Sequence, residues 1–110
     1  MYKLDMGFGN AKLWRGCQIT PLEADRYRLE TPRDSAIKIL EANLDELLAR
    51  VPEEDRGRLV LTGGVPQWVV ATVTRRFAYA FRKLSIFNPN DRTTIEIENP
   101  PAPADNATPD

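Results

Sequence analysis

Apolar residues in the middle of the chain recur at helical spacing. Ile37, Leu40, Leu44, Leu47 and Leu48, with Val51 just beyond, form one apolar face, and Lys38, Glu41, Asp45 and Arg50 belong to the wet side. The pattern predicts a helix from Asp34 or Ser35, either of which can cap the first N–H groups, to about Arg50. Pro52 stops it, because proline cannot continue a helix interior, and the charged run Glu53 to Gly57 reads as a surface loop. Leu59-Val60-Leu61 is a short continuous apolar run, the signature of a strand. It breaks at Thr62-Gly63-Gly64. Helical spacing then resumes from Pro66 to about Ala80, with Val70, Val73, Phe77 and Ala80 facing the sheet. Lys83 to Phe87 is a second strand, and Asn88-Pro89-Asn90-Asp91 is turn chemistry. In the alternating Thr94 to Glu98, Ile95 and Ile97 are expected to face inward and Glu96 and Glu98 outward. Arg58 to Glu98 thus reads as a βαββ unit whose first two strands are parallel neighbours.

The first third is less regular. Tyr2 to Met6 is expected to be a strand, followed by a turn at Gly7-Phe8-Gly9-Asn10 and a hairpin with Lys12 to Trp14 or Cys17 to Ile19. Thr20-Pro21-Leu22-Glu23 is expected to begin a short helical turn, and Tyr27 to Glu30 alternates like a strand. Trp14 is expected in a core or interface. The whole is expected to be a small ferredoxin-like or open-sheet α/β domain over residues 1–99, with a Pro/Ala-rich tail at 100–110 that is expected to be disordered.

Composition narrows the chemistry. A length of 110 residues supports one real core. The formal net charge of −1 provides no basic field for duplex nucleic acid, and a general single-stranded RNA binder is disfavoured for the same reason. A single cysteine, Cys17, allows no intramolecular disulfide and fits a reducing cytoplasm, while the apolar runs are too short for a signal peptide or membrane span. Histidine is absent, which excludes a His-based triad or a His-ligated zinc.

Two features carry candidate chemistry. Gly63 and Gly64 leave the first N–H groups of the second helix open, which makes either a tight strand-to-helix turn or an anion site for a phosphate or carboxylate. Trp68, Thr72, Arg75 or Arg76, and Tyr79 share one helical stripe. An aromatic, a hydroxyl, a cation and a second aromatic can stack a base and hold a phosphate, or can simply edge the core. The carboxyl ends of the parallel strands add Thr62, Asn88, Asn90, Asp91 and Arg92 to one rim. Asp91 is the one carboxylate among those rim residues, poor equipment for two-metal phosphodiester cleavage. A nuclease there would instead position a 2′-hydroxyl for in-line attack, with arginines and amides stabilising the developing charge.

Leu59-Val60-Leu61-Thr62-Gly63-Gly64-Val65-Pro66-Gln67-Trp68, then Arg75-Arg76-Phe77, then Ser85-Ile86-Phe87-Asn88-Pro89-Asn90 resembles the small CRISPR-associated ring nucleases of type III systems, in the branch with a Gly-x-x-Pro-x-Trp turn. The resemblance implies a ferredoxin-like α/β domain, a homodimer or stack, and a cyclic oligoadenylate ligand that is bound and usually cut. Three departures stand out. Asn88 falls where that branch has an aspartate, Asn90 where it has an arginine, and Arg75 and Arg76 where it has helix histidines. A manganese or magnesium cofactor is accordingly not supported, so no cofactor is expected.

The leading expectation is a cytoplasmic homodimer in antiviral defence that binds cyclic oligoadenylate and linearises it. Gly63, Gly64, Arg75 and Arg76 would hold phosphates, Trp68 or Tyr79 would face a base, and Asn88 and Asp91 would shape the site. Arg75, Arg76 and Asp91 are the catalytic candidates. Thr62, Gly63, Gly64, Trp68, Thr72, Tyr79, Asn88 and Asn90 are the binding candidates. The alternative is a non-catalytic module, which binds the cyclic nucleotide without cutting it or docks a partner subunit through its aromatics and hairpin edge.

Overall fold

A computed structural model of the chain describes residues 1–77, 80–88 and 92–98. The elements run β1 (Tyr2–Asp5), β2 (Ile19–Pro21), β3 (Tyr27–Leu29), α1 (Arg33–Ala49), a 3-10 turn (Glu53–Asp55), β4 (Arg58–Thr62), α2 (Gln67–Phe77), β5 (Lys83–Asn88) and β6 (Thr93–Glu98). The main sheet has the order β1-β4-β5-β6, in which β1, β4 and β5 are parallel and β6 is antiparallel to β5. This is the open-sheet form of α/β domain, and the βαββ unit lies where the residue pattern puts it.

Register decides which face is the core. Leu4, Leu61 and Ile86 lie side by side across three strands, and so do Tyr2, Leu59 and Leu84. Leu40 and Leu44 of α1 and Val69, Val73 and Phe77 of α2 are buried against this face. The other face carries the row Lys3, Val60, Ser85 and Glu96. There an Arg58–Glu96 ion pair of 2.7 Å ties β4 to β6, and Glu96 also takes the Ser85 hydroxyl hydrogen at 3.4 Å.

The helices differ from expectation at their ends. α1 has no side-chain cap from Asp34 or Ser35. Pro32 takes the N-cap position, and its carbonyl accepts the Ala36 N–H at 2.8 Å. At the other end, the Arg56 guanidinium donates to the carbonyls of Leu48 and Val51, where the chain leaves the helix. In α2, Val69 and Thr72 are buried and Val70 is only half-buried, so its core face is turned about one residue from the expected set. Its described helical residues end at Phe77, and the Ala80 N–H bonds back to the Phe77 carbonyl.

Two expectations for the first third are corrected. β1 forms no hairpin with Lys12–Trp14 or Cys17–Ile19 but pairs in parallel with β4. Residues 7–17 are instead a series of turns that drops Leu13 and Trp14 into the core, both almost fully buried. The Trp14 indole N–H donates to the Met6 carbonyl, and the Asn43 amide of α1 donates to the carbonyls of Leu13 and Arg15, each at 2.8 Å. Thr20-Pro21 is strand rather than helix, and β2 pairs with β3 as a separate two-stranded hairpin. One correction falls at the far end: Ile95 shares the core face but lies on the edge strand, 58% exposed.

Candidate functional site

The carboxyl ends of β1 and β4 are adjacent, and each opens into a glycine loop. Asp5 ends β1, and its Oδ1 accepts the Gly7 N–H at 2.8 Å while its carbonyl accepts the Asn10 side-chain amide at 2.7 Å. The Met6 N–H bonds the Thr62 carbonyl at 2.7 Å and so carries the parallel ladder one step into the loop. Gly63 follows with φ +119°, and a Cβ there would lie 2.9 Å from the Gly7 nitrogen and 3.0 Å from Asp5 Oδ1. Only glycine lets the two loops approach so closely.

The β2–β3 hairpin closes the third side. Ala24 and Asp25 both have φ of 58°, the left-handed pair typical of a tight hairpin turn, and the Leu22 N–H bonds the Arg26 carbonyl at 2.7 Å. Tyr27 lies over Gly9, where a Cβ would come 2.8 Å from its ring. Between the hairpin and the two loops lies a cleft of about 730 Å³, lined by Asp5, Gly7, Phe8, Gly9, Leu22, Asp25, Arg26, Tyr27, Gly63 and Gly64. It offers two aromatic rings, one guanidinium, two carboxylates and glycine backbone. α2 starts just beyond, with no acidic residue in its first turn to compete for its positive end.

The sequence-predicted residues divide. Gly63 and Gly64 line this cleft, and Thr62 and Asn88 end β4 and β5 at the same rim. Trp68 is no open platform: it packs edge-on against Trp14, ring centroids 6.2 Å apart, on the flank of the core. Thr72 is buried, and its hydroxyl donates to the Trp68 carbonyl at 2.7 Å.

Arg75 and Arg76 sit in the last turn of α2, about 12 Å along the axis from its first residue by the helical rise. They turn toward α1, where Arg75 pairs with Glu41 at 2.8 Å and Arg76 donates from Nε to Asp45 at 2.7 Å. Hydrogen bonding to Arg76 holds the Asp45 carboxyl below its ordinary range. The fold therefore does not bring the two arginines to the glycine turn. Helix–helix packing gave them partners one turn apart on α1. Tyr79, Asn90 and Asp91 lie outside the described residues, as does the 100–110 tail, while Arg92 is exposed with φ 59° just before β6.

Asp25, Arg26 and Tyr27, like Asp5, Phe8 and Leu22, are cleft residues that the residue pattern did not single out. The first three come from a separate hairpin, and the one signal for them was the weak alternation at Tyr27–Glu30. Cys17 is half-buried, and burial pushes its thiol up against the opposing effect of a hydrogen bond with Thr31. Among the described residues no three His, Cys, Asp or Glu side chains gather to hold a metal ion, and no helix is long and apolar enough to cross a membrane. Comparison with models of known protein families, with curated proteins and with solved structures finds no match.

Proposed function

We propose that the chain binds a small phosphate-bearing nucleotide in the cleft between the Gly7–Gly9 loop, the Gly63–Gly64 loop and the β2–β3 turn. The resemblance to ring nucleases makes cyclic oligoadenylate the first ligand to test. The observation that supports this reading is the meeting of two glycine loops beside the start of α2, whose first turn carries no acidic residue, with Tyr27 and Arg26 on the opposite wall. Backbone N–H groups at a helix start suit a phosphate. The Tyr27 ring suits a stacked base, a contact typically worth about 1–3 kcal/mol. Arg26 supplies the positive charge that Arg75 and Arg76 were expected to bring.

Asp5 and Asp25 give the cleft hydrogen-bond acceptors for ribose hydroxyls. Cleavage, where it occurs, would follow from the same placement. The 2′-oxygen attacks the adjacent phosphorus as a cleft carboxylate takes the 2′-hydroxyl proton, and the bond to the 5′-oxygen breaks as that oxygen takes a proton from solvent, leaving a 2′,3′-cyclic phosphate and a free 5′-hydroxyl. This chemistry is routed through no metal.

The test is titration with cyclic tetra- and hexa-adenylate, with chromatography of the products. Binding in the micromolar range is expected. Arg26→Ala should weaken it about tenfold or more, the loss of one charge-assisted contact. Gly64→Asp should abolish it without unfolding the protein, since nothing lies within 4 Å of a Cβ there. Arg75→Ala and Arg76→Ala should leave it unchanged. If neither ring binds, or if the Arg75 and Arg76 variants lose binding while Arg26→Ala keeps it, the cleft is not the site.

A further inference from the structure

β6 is one edge of the sheet, and among the described residues nothing covers the apolar surface beside it. Ile95 stands 58% exposed on the face it shares with Ile86, and with Val65, Pro66 and Val70 these two line a groove of about 610 Å³ between the start of α2 and the β5–β6 ladder. A strand edge with apolar surface alongside is a template for another strand. The opposite edge, β1, is blunted by exposed Lys3 and Asp5.

The β6 sequence is also self-complementary in one antiparallel register. An axis through Ile95 sets Ile95 against Ile95, Thr94 against Glu96 and Thr93 against position 97 of the other copy. No like charges are opposed. Moving the axis one residue, to Glu96, would set that carboxylate against its own copy, which is destabilising. In the Ile95 register the helix-bearing faces of both copies stay on one side, because opposed residues share a face. The two grooves then meet across the axis, and the Arg58–Glu96 ion pair stays on the other face, undisturbed.

We propose that a second copy of this chain docks on this edge, β6 antiparallel to β6 about Ile95, joining two four-stranded sheets into one and closing the grooves against each other. The association needs no ligand, so its test is independent of the nucleotide reading.

Sedimentation equilibrium of the full chain over a wide concentration range should show a dimer. Ile95→Lys, at an exposed position, should keep the circular dichroism spectrum and raise the dimer dissociation constant about a hundredfold or more, because it buries a charge against its own copy. In a Cys17→Ser background, Ile95→Cys should oxidise to a covalent dimer, and Thr93→Cys should not. A chain that stays monomeric at every concentration would overturn the proposal. So would a dimer indifferent to Ile95→Lys, or cross-linking at position 93 as fast as at position 95.

Discussion

Gly63→Ala and Gly64→Ala are adjacent, chemically identical changes with opposite expected outcomes. Gly63 has φ +119°, and a methyl group there would meet the backbone nitrogens of Gly7 and Met6 at 2.9 and 3.2 Å. The Asp5 carboxylate at 3.0 Å could swing aside, but the two backbone atoms cannot, since the Met6 N–H is fixed to Thr62 in the β1–β4 ladder. The unfavourable backbone costs about 1–3 kcal/mol, and the overpacking about 1–3 more. Alanine's lower entropy in the unfolded chain returns about 0.4–1 kcal/mol. The net loss is about 1–5.5 kcal/mol, out of a total stability on the order of 5–15.

At Gly64 a methyl group meets nothing within 4 Å and φ lies outside the left-handed range, so the change should cost nothing and stabilise by about 0.4–1 kcal/mol. Urea unfolding followed by far-ultraviolet circular dichroism measures both, with unchanged slopes confirming that only stability moved. Gly63→Ala within about 1 kcal/mol of the parent, or Gly64→Ala equally damaging, would refute the close approach of the two loops on which the cleft depends.

Three further outcomes follow from the same coordinates. Asn43→Ala should cost about 1–3 kcal/mol in urea unfolding, because it strips the Leu13 and Arg15 carbonyls of a shared donor, and Asn43→Asp should not rescue it, because it brings only acceptors. Asp45 has its pKa lowered by Arg76, so the stabilisation from that pair is present above the unfolded carboxylate pKa and is lost as pH falls through the folded value. The contribution should be small, should fade in high salt, and should vanish from the acid limb of a stability–pH curve in Arg76→Ala. Cys17, its thiol raised by burial, should react with a disulfide reagent more slowly than an exposed cysteine at neutral pH and speed up as pH rises.

What the residue pattern made readable was local. Leu40 and Leu44 at one helical spacing and Val73 and Phe77 at another gave two helices. The Gly63-Gly64 break and the β6 alternation gave the βαββ order. Pairings between distant segments were out of reach. Nothing near Tyr2–Asp5 announces that its partner is Arg58–Thr62, and a tryptophan among turns looks the same in a hairpin as in a core. The arginines failed for a similar reason. Helical spacing says that Arg75 and Arg76 lie near the Trp68 stripe, but not that Glu41 and Asp45 of another helix will claim them. Ile95 was read as inward because alternation reports a face, and a face on an edge strand need not be covered.

The β1–β4 pairing sets an order of events during synthesis. The second half of the chain can assemble from neighbours in sequence, since β4, α2, β5 and β6 pair or pack with what comes next. β1 has to wait: the residues it is hydrogen-bonded to, Arg58–Thr62, emerge from the ribosome only after all of α1. Such a long-range closure is slow in entropic terms. A nascent chain halted before residue 58 would leave Tyr2–Asp5 an unclaimed strand, open to chaperones or to the wrong partner.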